Sequence, residues 1–132
     1  MMTTPVIFLP GSLCDERVFA DQLREIDQPC EIADLTLDDS ITAMATRVLR
    51  EAPPRFVLVG LSLGGIVAVE IARLASERVQ AMALIDTNLD ATDDAQLRTR
   101  RRWATDVRAG HFAQVVEELV PVLTATPDAH GP

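Results

Sequence analysis

A serine between two closely spaced glycines is the strongest chemical signal in this sequence. Residues 59–65 read Val-Gly-Leu-Ser-Leu-Gly-Gly, which places Ser62 in a Gly-x-Ser-x-Gly motif. The motif follows a continuous apolar run, Phe56 to Leu61, and precedes an apolar segment with helical spacing. A sharp strand-to-helix turn at this point holds the serine hydroxyl above the strand end and directs the Leu63 amide at a developing oxyanion. The spacing predicts Ser62 as a nucleophile and Leu63 as an oxyanion-hole donor.

Two less specific interpretations of this turn remain. The first is a glycine-rich connection with an incidental serine, and the second is an anion-binding turn of the nucleotide-binding type. Phosphate-binding fingerprints place their glycines differently, and one of them requires a lysine, which this sequence does not contain. The nucleophile interpretation is therefore favoured.

A second glycine-containing loop, Leu9-Pro10-Gly11-Ser12-Leu13-Cys14-Asp15, follows the first apolar run. A loop directly after the first strand is well placed to donate a second oxyanion hydrogen bond, here from the amide of Ser12 or Leu13. The alternative is a tight turn in which Asp15 caps the following helix. The two interpretations are compatible.

Apolar runs alternate with helical patterns over the first part of the chain. Strands are predicted over Val6–Leu9, through Ile32, Leu35 and Leu37 near a sheet edge, over Phe56–Leu61 and over Val79–Ile85. Helices are predicted from Asp15 to Pro29, from Ser40 to Pro53 and over Gly64–Ala75. The order β-α-β-α-β-α-β is typical of an α/β fold with a parallel sheet flanked by helices. The uninterrupted run Phe56–Leu61 indicates a central strand buried on both faces.

The C-terminal part of the chain has a different character. Residues 88–110 are polar and contain Arg100-Arg101-Arg102 beside Trp103, and a helical stripe from Phe112 follows as far as Pro121. We interpret the arginine run as a solvated helix face, with contact to an acidic carrier protein as the alternative. The predicted divisions are residues 1–88, residues 89–123 and a frayed tail, residues 124–132.

The composition excludes several classes of function. A formal net charge of −8 disfavours nucleic acid as the partner, and no apolar run approaches the roughly 20 residues that span a bilayer. The N-terminus lacks the features of a secretory signal, and two cysteines, Cys14 and Cys30, predict free thiols in a cytoplasmic chain. No cluster has metal-ligand spacing, so neither a metal nor a cofactor is predicted.

Taken together, these motifs resemble the N-terminal part of an α/β-hydrolase. The pattern Leu-Pro-Gly-x-Leu-Cys-Asp after the first strand, the Gly-Leu-Ser-x-Gly-Gly turn and the phrase Leu84-Ile85-Asp86-Thr87-Asn88 are similar to bacterial carboxylesterase-like members, including those that act on the methyl ester of pimeloyl carrier protein. The resemblance implies Ser62 as nucleophile, an oxyanion hole from Leu63 with Ser12 or Leu13, and a helical cap beginning near Leu89.

The sequence departs from the family after its first half. The family order is nucleophile, acid and then histidine, and this chain stops before the last two regions. His111 opens a predicted helix and His130 lies in the tail, so neither is expected to serve as the base. Asp86, at the end of a strand, is a candidate acid, although a loop or helix-capping role is favoured. We expect an incomplete sheet whose exposed edge promotes self-association.

The predicted function is therefore hydrolysis of a small-molecule carboxylic ester or thioester by a serine hydrolase. Without a base the chain alone is expected to be inactive or weak, because a serine hydroxyl is almost fully protonated at neutral pH. The alternatives are an acyltransferase or a cofactor-free haloperoxidase on the same scaffold, and a non-catalytic binding module or gene fragment.

Overall fold

The computed structural model of the chain describes residues 3–124, within two compact units that divide after Leu89. The first unit contains β1 Val6–Leu9, α1 Ala20–Glu25, β2 Cys30–Ile32, α2 Ile41–Glu51, β3 Phe56–Leu61, α3 Leu63–Leu74 and β4 Val79–Ile85. Short 3₁₀ turns, Glu16–Phe19 and Ser76–Arg78, precede α1 and β4. This alternation confirms the predicted α/β fold.

The four strands form one parallel sheet in the order β2-β1-β3-β4. Leu9 lies opposite Gly60, and Leu61 lies opposite Ile85. The chain order reverses between β1 and β3, and in open α/β sheets the crevice beyond the carboxyl ends of the strands at such a reversal is where ligands bind. The topology therefore brings the loop after β1 and the turn after β3 to the same place.

The strand predicted through Ile32, Leu35 and Leu37 is shorter than the sequence suggests. β2 is an edge strand, as predicted, but it ends at Ile32, and Leu35 and Leu37 lie outside it. The ladder stops after Ala33, whose amide donates to Phe8 O, because Asp34 then accepts from the amide and hydroxyl of Thr36 and turns the chain away.

The two faces of the sheet are covered unequally. On one face, α2 and α3 bury a cluster that contains Phe56, Leu58 and Ile71. On the other, Phe8 packs against Phe19 with ring centroids 4.8 Å apart, and the side chains of Val57, Val59 and Leu61 are only half-buried. The prediction that β3 is buried on both faces is wrong, because the second face is covered chiefly by one 3₁₀ turn and a six-residue helix.

The first predicted helix is divided in two. Asp15 caps it as expected, since its side chain accepts from the Arg17 amide at 3.0 Å, but the capped element is the 3₁₀ turn Glu16–Phe19. Helix α1 follows and ends at Glu25, ahead of Pro29, because Ile26 is already extended. Phe19 is buried where the two segments meet and packs against Phe8 there.

Helix α2 begins at the predicted cap and is anchored at its end by an arginine. The Ser40 hydroxyl accepts from the Ala43 amide at 3.2 Å. At the other end, the Arg78 guanidinium donates to the carbonyls of Leu49, Ala52 and Pro53 at 3.1, 2.9 and 2.8 Å. Arg78 thereby satisfies carbonyl groups that the helix leaves without internal partners and joins α2 to the start of β4.

Strand β4 forms the outer edge of the described sheet. Six of its seven residues, Gln80–Ile85, are exposed, and the large side chains Met82, Leu84 and Ile85 are 40%, 39% and 45% exposed. The strand contains neither a charge nor a proline that would oppose pairing with another strand.

The second unit contains helices α4 Asp94–Arg108 and α5 Phe112–Leu123. Glu118 joins them, because its carboxylate accepts from Arg102 at 2.6 Å and from Trp103 Nε1 at 2.9 Å. These two donors lower the pKa of Glu118 to about 2. Arg102 and Trp103 thus hold two helices together within this unit.

Helix α5 continues beyond its predicted end. It contains Pro121 and runs to Leu123, where Thr124 closes it by donating from its amide and hydroxyl to Val120 O at 3.0 and 2.7 Å. A proline in the last turn removes only one helical hydrogen bond, so the helix tolerates it there. The predicted frayed tail, apart from Thr124, lies outside the described residues. None of the helices within residues 3–124 is long and apolar enough to cross a membrane.

Candidate active site

Ser62 occupies a strained turn between β3 and α3. Its φ of 52° and ψ of −113° place it in a region that residues with a side chain rarely adopt. Its amide donates to Ile85 O at 2.9 Å, and its carbonyl accepts from the amides of Gly65 and Ile66 at 2.9 and 3.3 Å. Because hydrogen bonds fix the backbone on both sides of the residue, the strained conformation is held in place.

The loop after β1 lies directly against this turn. A Cβ on Gly64 would overlap the carbonyl oxygen of Leu9 and come within 2.8 Å of Pro10 O. A Cβ on Gly11 would lie 3.4 Å from Ser62 Cβ. Glycine at 64 is therefore required for helix α3 to approach β1, and this approach brings the first loop beside the serine.

The three amides that the sequence proposes as oxyanion donors are unengaged. Neither Leu63 nor Ser12 nor Leu13 donates a backbone hydrogen bond to any acceptor within residues 3–124. In the same described part of the chain, the half-exposed Ser62 side chain makes no capping hydrogen bond to α3. The geometry thus leaves one hydroxyl and a set of free N–H groups at one edge of the sheet.

The loop after β1 forms the predicted tight turn. The Cys14 amide donates to Gly11 O at 3.1 Å, which closes a turn with Ser12 and Leu13 at its exposed tip. Leu13 has a φ of 62°, the left-handed conformation that the third residue of some turns requires. Asp15 caps the segment that follows, so the turn and the cap are both present.

Strained non-glycine residues occur at the ends of three adjacent strands. Leu13, Ser62 and Asp86 have φ values of 62°, 52° and 46°, and they follow β1, β3 and β4. Such conformations cost free energy and cluster at functional sites. Their shared position makes the carboxyl edge of the sheet the candidate functional edge of this unit.

Asp86 follows Ile85, the residue paired with Leu61, so its backbone continues β4 alongside Ser62. The side chain is exposed. No helix begins at Asp86, since α4 starts only at Asp94 with Asp93 as its cap, and a helix-capping role for Asp86 is therefore wrong.

The histidines lie outside the first unit. His111 precedes α5 in the second unit, is exposed and makes no capping bond with its side chain. His130 lies outside the described residues. Residues 1–110 contain no histidine, so none of the first unit's side chains is an imidazole base for Ser62.

A cleft of about 630 Å³ adjoins the candidate oxyanion donors. Its walls are the loop after β1, the segment after β2 and Leu63, and its lining residues include Ser12, Leu13 and Cys14. The ionisable carboxylic acids in the lining are Asp15, Glu16 and Asp34. The Arg17 side chain holds the pKa of Asp15 below its usual value, and the Thr36 hydroxyl does the same for Asp34. The cleft is therefore anionic at neutral pH.

Sequence reasoning missed Thr87 as a neighbour of the serine. Its hydroxyl lies 3.3 Å from Ser62 O and donates to it, although 25 residues separate the two. The available signal was its position two residues beyond β4, since β4 lies beside β3 and Ser62 directly follows β3. Among the described residues, no group of three or more His, Cys, Asp and Glu side chains is arranged to hold a metal ion.

The sequence matches the family described as Thioesterase domain over residues 9–130. It is 52% identical over 46 residues to a pimeloyl-[acyl-carrier protein] methyl ester esterase of Klebsiella pneumoniae (strain 342), an alignment that covers 35% of this chain and 18% of the relative. It is 46% identical over 83 residues to the protein of the same name from Citrobacter koseri, covering 61% of this chain and 30% of the relative.

The fold is similar to that of a thermophilic esterase from Thermogutta terrifontis, with a TM-score of 0.76 and 24% identity. That similarity covers 91% of this chain and 50% of the esterase. The chain thus spans about half the length of the solved relative, and the aligned segments cover a smaller share of the curated relatives.

Proposed function

Because this chain belongs to the thioesterase-domain family and has the α/β-hydrolase fold, we propose that it carries the nucleophile and oxyanion hole of a serine hydrolase acting on a carboxylic ester or thioester. The observation that carries the proposal is the strained Ser62 beside the unengaged amides of Leu63, Ser12 and Leu13. Free N–H groups beside a half-exposed hydroxyl suit acyl transfer, since negative charge develops within reach of both.

In the proposed reaction, Ser62 Oγ attacks the carbonyl carbon of the substrate and loses its proton to a general base. The oxyanion accepts hydrogen bonds from the Leu63 amide and from the amide of Ser12 or Leu13, aided by the positive end of the α3 dipole. Collapse of the tetrahedral intermediate releases the alcohol or thiol, which takes the proton back from the base. Water then attacks the acyl-serine in the same way, which releases the acid and returns the proton to Ser62.

The general base lies outside the first unit in this proposal. Loss of a triad member commonly lowers turnover by about 10⁴- to 10⁶-fold, so we propose that this chain by itself hydrolyses esters weakly or not at all. Asp86 is the candidate acid partner of a base, because its backbone runs beside Ser62 at the functional edge.

The relatives named above favour hydrolysis over acyl transfer to another acceptor or haloperoxidation. Their names specify the methyl ester of pimeloyl-[acyl-carrier protein], and we carry over only the ester class. A small, uncharged ester or thioester suits the anionic cleft, because an anionic group there would face Asp15, Glu16 and Asp34.

The test is covalent labelling of Ser62 by a fluorophosphonate, with and without added imidazole. Free imidazole supplies a base in solution, so labelling at Ser62 should rise with imidazole concentration. Ser62→Ala should abolish the label, and Ser76→Ala, which alters an exposed serine in a 3₁₀ turn, should leave it unchanged.

Mass spectrometry of the labelled peptide identifies the modified serine. If Ser62 is labelled no faster than Ser76 at every imidazole concentration, Ser62 is excluded as the nucleophile and a non-catalytic module is favoured.

A further inference from the structure

Thr87 connects the end of β4 to the strained serine. Its Oγ1 lies 3.1 Å from Ile85 O and 3.3 Å from Ser62 O, so one hydroxyl proton serves two carbonyl groups. Both carbonyls already belong to the hydrogen bonds that fix Ser62, since Ile85 O accepts from the Ser62 amide and Ser62 O accepts from the amides of Gly65 and Ile66. Thr87 therefore reinforces both sides of the same residue.

Glycine at position 65 makes room for this threonine. A Cβ on Gly65 would overlap Thr87 Oγ1 and lie 2.7 Å from both Thr87 Cβ and Cγ2. The half-buried Thr87 side chain thus fills the space that a larger residue at the start of α3 would occupy. The first turn of the helix and the segment after β4 are fitted to each other at this contact.

The backbone on each side of the contact is strained. Ser62 has a φ of 52°, and Asp86, immediately before Thr87, has a φ of 46°. Strained residues persist only where surrounding contacts determine their conformation. The Thr87 hydroxyl is the side-chain donor, among the described residues, that reaches the Ser62 backbone.

We propose that Thr87 is a positioning residue for Ser62: its hydroxyl holds the serine backbone against the end of β4 and so fixes the direction of the nucleophilic Oγ. This inference rests on the proposed function, because direction matters only if Ser62 reacts. Thr87 does not touch the reacting atoms and acts through the serine's backbone.

The first experiment measures the rate of Ser62 phosphonylation by a fluorophosphonate at fixed imidazole, as a function of probe concentration. Thr87→Val removes the hydroxyl and keeps a similar shape, and Thr87→Ser keeps the hydroxyl and removes the methyl group. Thr42→Val is the matched control, since the Thr42 hydroxyl donates to Glu70, between α2 and α3.

We expect Thr87→Val to lower the limiting labelling rate about tenfold, since small displacements of a reacting group have large effects on rate. The half-saturating probe concentration should stay the same, because the binding surface is unchanged. Thr87→Ser should restore the rate, and Thr42→Val should match the wild type. Equal rates for Thr87→Val and the wild type, or an equal loss in both Thr87 variants, would overturn the proposal.

The second experiment is independent of reactivity. Amide hydrogen exchange should be about tenfold faster at Ser62 and Gly65 in Thr87→Val than in the wild type, with Thr87→Ser and Thr42→Val unchanged at these amides. If the wild type is not labelled but exchange follows this pattern, the proposed function fails while Thr87 still holds the turn. If exchange at these amides is unchanged in Thr87→Val, Thr87 does not hold the turn.

Discussion

The amide of Ser62 donates to Ile85 O at 2.9 Å, one residue beyond the last strand position of β3. The ladder between β3 and β4 therefore extends into the turn that carries the serine. Since the amide is tied to β4 while the carbonyl begins helix α3, the backbone reverses direction within one residue. This explains why a positive φ occurs at Ser62 and why the strand beside it matters for the site.

Replacement of Gly64 by alanine should destabilise the first unit. The added Cβ would overlap Leu9 O in the backbone of β1, which cannot move aside without distorting the sheet. We expect a loss of about 2 kcal/mol or more in the free energy of unfolding, measured by urea titration with far-UV circular dichroism.

Gly11→Ala is the control for this substitution, because its Cβ would lie 3.3 Å from Leu61 O and needs only a small adjustment. Equal stability of Gly64→Ala and Gly11→Ala would contradict the close approach of α3 to β1.

Replacement of Arg78 by methionine should weaken the connection between α2 and β4. The guanidinium donates to four carbonyls, those of Leu49, Ala52, Pro53 and Pro54, and lies 5.4 Å from the centre of the Phe56 ring. Methionine keeps the apolar stem but satisfies none of these carbonyls. We expect a loss of about 1 to 3 kcal/mol in urea unfolding.

Arg24→Met serves as its comparison, because Arg24 is exposed and forms an ion pair with the nearby Asp21. This variant should change stability by less than about 0.5 kcal/mol. An effect of the same size in both arginine variants would show that the carbonyl contacts of Arg78 do not stabilise the fold.

The packing of the second unit should depend on pH through Glu118. Arg102 and then Trp103 lower its pKa to about 2 in the folded chain, below the value of about 4.3 expected when unfolded. A lowered folded-state pKa contributes stability above the unfolded value, and this stability is lost as pH falls from about 4.3 toward 2. Trp103 is the single tryptophan, so its fluorescence reports the change.

Glu118→Gln should remove this pH dependence, whereas Glu117→Gln, its exposed neighbour, should retain it. Titration of the Glu118 carboxyl near pH 4.3 by NMR would disprove the ion pair in solution.

The exposed edge at β4 should promote self-association. Seven uncharged residues, which pair with no strand on their outer side within residues 3–124, form a template for another strand, and we propose a second copy of this chain as the occupant. Sedimentation velocity should show a weight-average mass that rises with protein concentration.

Ala83→Lys places a charge within β4 and should shift association to at least tenfold higher concentration, because charged residues oppose edge pairing. Ala104→Lys adds the same charge at an exposed position of α4 and should have no effect. A monomer at all concentrations would exclude this edge as an interface.

The sequence alone determined the elements that depend on local pattern. The bounds of β1, β3 and β4 agree with prediction because each strand is mainly apolar, with only Gln80 polar in β4, and is flanked by polar residues or proline. The start of α2 agrees because the Ser40 cap is a local hydrogen bond. The position of Ser62 between a strand and a helix follows from the same kind of signal.

Tertiary structure decided everything that depends on which elements are neighbours. The sheet order places the loop after β1 beside Ser62 and the end of β4 against α3, and no local pattern specifies that order. The contact of Thr87 with Ser62, the split of the first helix around the buried Phe19 and the half-covered face of β3 all follow from packing between distant segments. Residue spacing records the periodicity of one element, whereas these features depend on which surfaces meet after folding.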